Sequence, residues 1–150
     1  MTYKDLEIWQ IANELVIRIH KMTLTELPDF EIHEEGSQVR RSSKSSKSLI
    51  VEGSGRRVYK QDFIRFLINS MASNFETIDH LENLYSTKSL KNSDLYNELH
   101  ALANKLGRKT NKFIQSVEVR HNELSEPEVE YLNQINNEQS SNIQHPTSNI

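Results

Sequence analysis

The sequence predicts an all-α protein, an up-and-down four-helix bundle followed by a short extra C-terminal helix and a polar tail. Two observations carry that expectation. Over three long segments the apolar residues recur at alternating steps of three and four, the spacing that lines one face of a helix. Only four Gly and three Pro punctuate 150 residues, too few turn formers for a many-stranded fold. At this length a single folded domain is expected, the bundle occupying residues 1–122 and the short helix and flexible tail 123–150.

The first helix spans Leu6 to Thr25, with Ile8, Ile11, Ala12, Leu15, Val16, Ile19 and Met22 on one face. Leu27-Pro28-Asp29 ends it, because proline lacks an amide and restricts the residue before it. The third helix carries Phe63, Leu67, Ser70, Asn74, Ile78, Leu81 and Tyr85, flanked by Phe66, Met71 and Leu84. A polar turn over Ser86 to Ser93 follows, in which Asn92 or Ser93 can accept from the free amides of the next helix. That fourth helix runs through Leu95, Leu99, Leu102, Leu106, Thr110, Phe113 and Val117.

Three amphipathic helices need a fourth to cover their apolar stripes. The segment from about Glu35 to Glu52 is the candidate, with Val39, Ser42, Ser43, Ser46, Leu49 and Ile50 facing inward. Serines there let a neighbouring backbone approach closely, provided each buried hydroxyl finds an acceptor such as the carbonyl four residues back. Gly53 is expected to stop this helix by entering the left-handed conformation. Beyond the bundle, Ser125-Glu-Pro-Glu128 matches a capping box, which predicts a helix from about Glu126 to Asn136. The remaining residues are polar and unpatterned, the composition of a tail that cannot order itself.

Cysteine is absent, which removes disulfides, thiolate metal sites and thiol nucleophiles and agrees with a reducing compartment. The first ten residues, MTYKDLEIWQ, lack the apolar run of a signal peptide, and no stretch has the roughly 18 apolar residues of a membrane span. A cytoplasmic protein is expected. The net charge of −3 conceals a strong asymmetry: Gln38 to Lys60 holds seven Arg or Lys against one acid, so the remainder sums to −9. On this reckoning any polyanion would bind at that segment.

Four-helix bundles can hold metal between Glu-x-x-His pairs on facing helices, but only Glu118-x-x-His121 fits, and Glu76 with His80 reads as a solvated face. The acids of Ile32 to Gly36 suit a helix N-terminus, where carboxylates offset the macrodipole. Gly53-Ser-Gly55-Arg56-Arg57 lacks the full pattern of a nucleotide loop and follows a helix instead of a strand. No nucleophile-base-acid arrangement is recognisable. Neither an enzyme nor a bound cofactor nor a metal is expected.

Two readings of the basic segment stay open. Arg40, Arg41, Lys44, Lys47, Arg56 and Arg57 either bind phosphate, or balance acids on a neighbouring helix or subunit. No aromatic stands among the arginines before Tyr59, so a nucleic acid would be held by its backbone.

Three ordered motifs resemble one family. YKDLEIWQIANEL at 3–15, QVRRSSKS at 38–45 and IVEGSGRRVYKQDFIRFL at 50–67 are similar to the opening motif, the QxRRA segment, the EGxGRR turn and the KxFIRFL helix start of the 23S rRNA-intervening-sequence proteins. The resemblance covers roughly residues 3 to 120. It implies a four-helix bundle that assembles into a homopentameric ring, related in fold to the accessory variability determinants of diversity-generating retroelements, which bind a reverse transcriptase and nucleic acid through basic surfaces. By position, Arg40, Arg41, Arg56 and Arg57 match the family's two arginine pairs, Glu52, Gly53 and Gly55 its turn, and Phe63, Ile64, Arg65 and Phe66 its FIRF start. The chain departs from the pattern at Ser42 and Ser43, where the family has alanines, at Lys47, where proline is common, and at Val58, where a capping serine stands. Its acidic remainder also departs from the basic character of the retroelement proteins.

The third helix is apolar on more than one side, and Ile64, Ile68 and Phe75 are the candidate contacts with a neighbouring subunit. The sequence thus leads to a non-enzymatic homo-oligomeric module that binds RNA or a nucleoprotein through its arginine-rich surface. The alternative is a protein-interaction scaffold with no nucleic-acid role.

Overall fold

In the computed structural model of the chain, which describes residues 2–123 and residue 137, each periodic segment forms a helix. These are α1 (Glu7–Thr25), α2 (Glu35–Gly55), α3 (Lys60–Ser86) and α4 (Ser93–Glu123), with 3-10 turns at Tyr3–Asp5 and Asp29–Ile32. Each helix packs on its two neighbours around the ring, and neither diagonal pair of helices approaches closely at the backbone. Cross-helix partners run in opposite directions along every neighbouring pair: Glu7–Lys109 and Arg18–Glu98 between α1 and α4, Phe63–Phe113 and Asn74–Ala103 between α3 and α4. The fold is the antiparallel four-helix bundle that the patterning predicts. The expected helix over Glu126 to Asn136 and the tail, residue 137 apart, lie outside the described residues.

The core is contributed by all four helices. Leu15, Ile19 and Met22 of α1, Val39 and Ile50 of α2, Leu67, Leu81 and Leu84 of α3, and Leu99 and Leu106 of α4 are almost wholly buried. Tyr85, expected inside, is instead exposed, and Leu84 and Thr77 take the inner face. Over seven turns a stripe that steps by 3.5 residues drifts on a helix of 3.6 residues per turn. Tyr85 stacks on Tyr96 with ring centres 4.1 Å apart. Burial first, then Glu82 and Tyr85, raise the Tyr96 hydroxyl above its ordinary pKa.

Along α2 and α3 the contact is made by small residues. Ser46 Oγ donates to the Ser70 carbonyl at 3.0 Å and Ser70 Oγ returns a bond to the Ser46 carbonyl at 2.7 Å. Ser42 and Thr77 hydroxyls meet at 2.8 Å, and those of Ser45 and Ser73 at 3.1 Å. Only Ser42 and Ser43 bond back within α2, to carbonyls three residues earlier, not four. The serine face is therefore satisfied mainly across the interface.

Gly53 does not stop α2. The helix runs through it to Gly55, and no glycine among the described residues has a positive φ. A Cβ at Gly53 would lie 2.9 Å from the Phe66 Cβ, so this glycine continues the small-residue seam along which α3 lies close to α2. Glu52, Gly53 and Gly55, expected to form a turn, are the last helical turn, and Arg56 caps it by donating its N–H to the Gly53 carbonyl at 2.9 Å. The left-handed residue is Lys88, φ 64°, in the α3–α4 connection. Asn92, not Ser93, caps α4 by accepting from the Leu95 amide at 3.1 Å.

Two comparisons test this geometry. Gly53→Ala should cost about 1–3 kcal/mol by forcing α2 and α3 apart, whereas Gly55→Ala, which meets open space, should be neutral or stabilising by up to about 1 kcal/mol. Lys88→Gly should stabilise by up to about 1 kcal/mol, the left-handed strain relieved less the added chain entropy. Urea unfolding of the three variants reads all these values, and equal losses at Gly53 and Gly55 would contradict the close approach.

Candidate functional site

The helical period sorts the basic segment once its neighbours are known. Positions seven apart on α2 share a face, and Arg40 and Lys47 both turn toward α1. The Arg40 guanidinium donates to Thr23 Oγ1 at 2.9 Å and to the Ile32 carbonyl at 2.6 Å, tying α2 to the end of α1 and to the Asp29–Ile32 turn. Lys47 Nζ donates to Asn13 Oδ1 at 2.8 Å and stands 5.4 Å from the centre of the Trp9 ring. Neither is a free cation on the surface: of the two readings of the basic segment, these two residues follow the protein-held one, with neutral acceptors in place of acids. A charge-assisted bond to a protein acceptor on another element makes them part of the bundle's framework.

Arg56 and Arg57 follow the end of α2. Arg56 lies 3.9 Å from Glu52 and 3.8 Å from Asp62, with its guanidinium 5.0 Å from the centre of the Phe66 ring. Arg65 approaches the same ring at 5.5 Å and the same Asp62 at 3.2 Å. Two arginines and two carboxylates thus form a neutral cluster around one aromatic ring. These pairs are all solvent-exposed, where each ion pair contributes little. Arg57 donates to the Ser54 carbonyl at 3.1 Å while remaining exposed.

Arg41 and Lys44 are different: both are exposed on the outer side of α2 and have no hydrogen bond or ion pair among the described residues. Arg41 lines a groove of about 530 Å³ between α2 and α3 with His33, Ser37, Gln38, Glu76 and His80. His80 Nδ1 is 2.7 Å from Glu35 Oε1, which also accepts from Asn83 at 3.1 Å. Glu76 is exposed, as a solvated face requires, whereas His80, read as part of the same face, is half-buried against Glu35. Behind them the buried Glu31 carboxylate accepts from the Glu35 amide at 3.1 Å and from Ser89 Oγ at 3.0 Å, so a side chain from the preceding turn caps α2. Sequence reasoning missed this network because its partners are 45 to 58 residues apart.

Among the described residues no group of three His, Asp or Glu side chains could hold a metal ion, and no helix is long and apolar enough to cross a membrane. Of the three residues expected at a subunit contact, Ile68 and Phe75 are 47% and 55% exposed, but Ile64 is 8% exposed and belongs to the bundle's own core. It lies one position from Phe63, on the inward side of α3.

A family model described as 23S rRNA-intervening sequence protein matches residues 4–112. A search of curated proteins finds no match.

Arg40→Ala should destabilise by about 1.5–3 kcal/mol, the range for bonds to charged groups, while Arg41→Ala should change stability by less than about 0.5 kcal/mol. Urea denaturation distinguishes the two. Equal effects would mean that the arginine pair acts as one unit.

Proposed function

The chain belongs to the 23S rRNA-intervening sequence protein family, and from that premise we propose that it is a non-enzymatic helical module that works by assembling with copies of itself. The observation that carries this reading is a pair of apolar strips left uncovered on diagonal helices. On α3, Ile68 and Phe75 stand seven residues apart, and on α1, Ile17 and Leu24 repeat the spacing at 60% and 53% exposure. Because α1 and α3 stand diagonally in the bundle, the strips belong to different sides of it. A head-to-tail contact between one strip and the other on the next subunit generates a closed ring when the rotation closes. The resemblance to ring-forming bundles points to five subunits. The internal use of Arg40 and Lys47 supports the same reading, since these cations already have protein partners.

A second reading is favoured by Arg41 and Lys44, whose exposed charges have no partner among the described residues. They suit contact with RNA phosphates, alone or within a nucleoprotein.

Light scattering at micromolar concentration should give a multiple of the 17.5 kDa chain mass. Ile68→Glu combined with Phe75→Glu should reduce it to the monomer with helix content retained. A monomeric mass for the unaltered protein would sink the assembly reading.

A further inference from the structure

The basic segment of α2 is the densest in the sequence, yet the bundle holds Arg40 and Lys47 internally. A second concentration of charge is less diluted by pairing. Leu102 to Val117 of α4 contains Lys105, Arg108, Lys109 and Lys112 and no acid. Lys109 pairs with Glu7 at 3.2 Å. Lys105, Arg108 and Lys112 are exposed and have no hydrogen bond or ion pair among the described residues. Their spacing of three and four places all three on one face of the helix, over about 10 Å of its axis.

The antiparallel topology adds to this stripe. The C-terminal half of α4 lies beside the start of α1 and the start of α3, as the Glu7–Lys109 and Phe63–Phe113 contacts show. The α2–α3 connection, with exposed Arg57, is therefore at the same end of the bundle. At the opposite end, residues 26–35 hold five acids and no Lys or Arg, and Asp94 and Glu98 begin α4 there.

We propose that the Lys105–Arg108–Lys112 stripe of α4 is a nucleic-acid docking surface that grips the phosphodiester backbone. For the class of ligand the inference rests on the second reading above, but it places the contact on a different helix. The three cations span several phosphates of a duplex, which carries one charge per about 1.7 Å of axis. No aromatic side chain lies among them, so the surface holds backbone and does not read or stack bases. Separation of the acidic and basic ends orients an approaching polyanion toward this one.

The test uses the full chain and two labelled 20-nucleotide hairpins of one sequence, one RNA and one DNA, with binding read by fluorescence polarisation across a salt series. Lys105→Gln, Arg108→Gln and Lys112→Gln together should weaken both hairpins by at least about tenfold at low salt and reduce the slope of log affinity against log salt by about 2 to 3. The single Arg108→Gln variant should show a smaller loss in the same direction, with an unchanged thermal melt. Lys21→Gln, Lys88→Gln and Lys91→Gln together, which carry the same charge change away from the stripe, should bind within about twofold of the unaltered protein. Retained affinity in the α4 variant with loss on Arg41→Gln and Lys44→Gln would overturn this assignment and uphold the α2 reading. Failure of the unaltered protein to bind either hairpin, or binding to anionic vesicles alone, would overturn both.

Discussion

The reciprocal hydrogen bonds between Ser46 and Ser70 fix how close α2 and α3 can come, and the rest of the bundle is arranged around that distance. Each hydroxyl donates to the other helix's carbonyl, so two backbones already saturated along their own axes are joined without an orphaned polar group. A neutral hydrogen bond contributes only about 1 kcal/mol net. Its larger effect is on register: a slip of one residue would leave several buried hydroxyls unsatisfied at once, each costing about 1–3 kcal/mol. Gly53 extends the same constraint to the end of the seam, where no Cβ fits against Phe66. The bulky core residues then fill the space that this close pair leaves toward α1 and α4.

Helix α2 is a weak helix former, since serine has mediocre propensity and its apolar stripe is thin. Its order comes from neighbours on both sides. Toward α3 the serine seam holds it; toward α1 Arg40 and Lys47 anchor it through Thr23, Ile32 and Asn13. Two kinds of polar side chain, the small hydroxyl and the long cation, thus do the joining that leucine does elsewhere in the bundle. This explains why a segment with so few apolar residues can be one of the bundle's four helices.

Much of the fold was legible because it depends on local spacing. The stripes of α1, α3 and α4 follow from Ile8 to Met22, Phe63 to Leu81 and Leu95 to Val117 with no knowledge of what they pack against. The serine face of α2 was also legible. What could not be read was anything set by the register between helices: that Gly53 faces Phe66 instead of ending a helix, that Arg40 and Arg41, adjacent in sequence, lie in different environments, or that Glu35 meets His80. The exposed cations of α4 had a visible signal in their three-four spacing. It was hidden by summing charge over the whole chain outside the α2 segment, where acids far away in space cancel lysines and arginine that they never approach.

The end-to-end segregation of charge in one protomer has a further consequence for an assembly. Subunits related by rotation about an axis along the helices all stand the same way up, so every basic end falls on one rim and every acidic end on the other. A strand bound at one copy of the proposed ring would be held within reach of the next, and the local concentration it experiences would replace the bulk one. In the proposed ring, three modest cations on a single helix would form one segment of a continuous track, with an affinity that rises with the number of copies engaged.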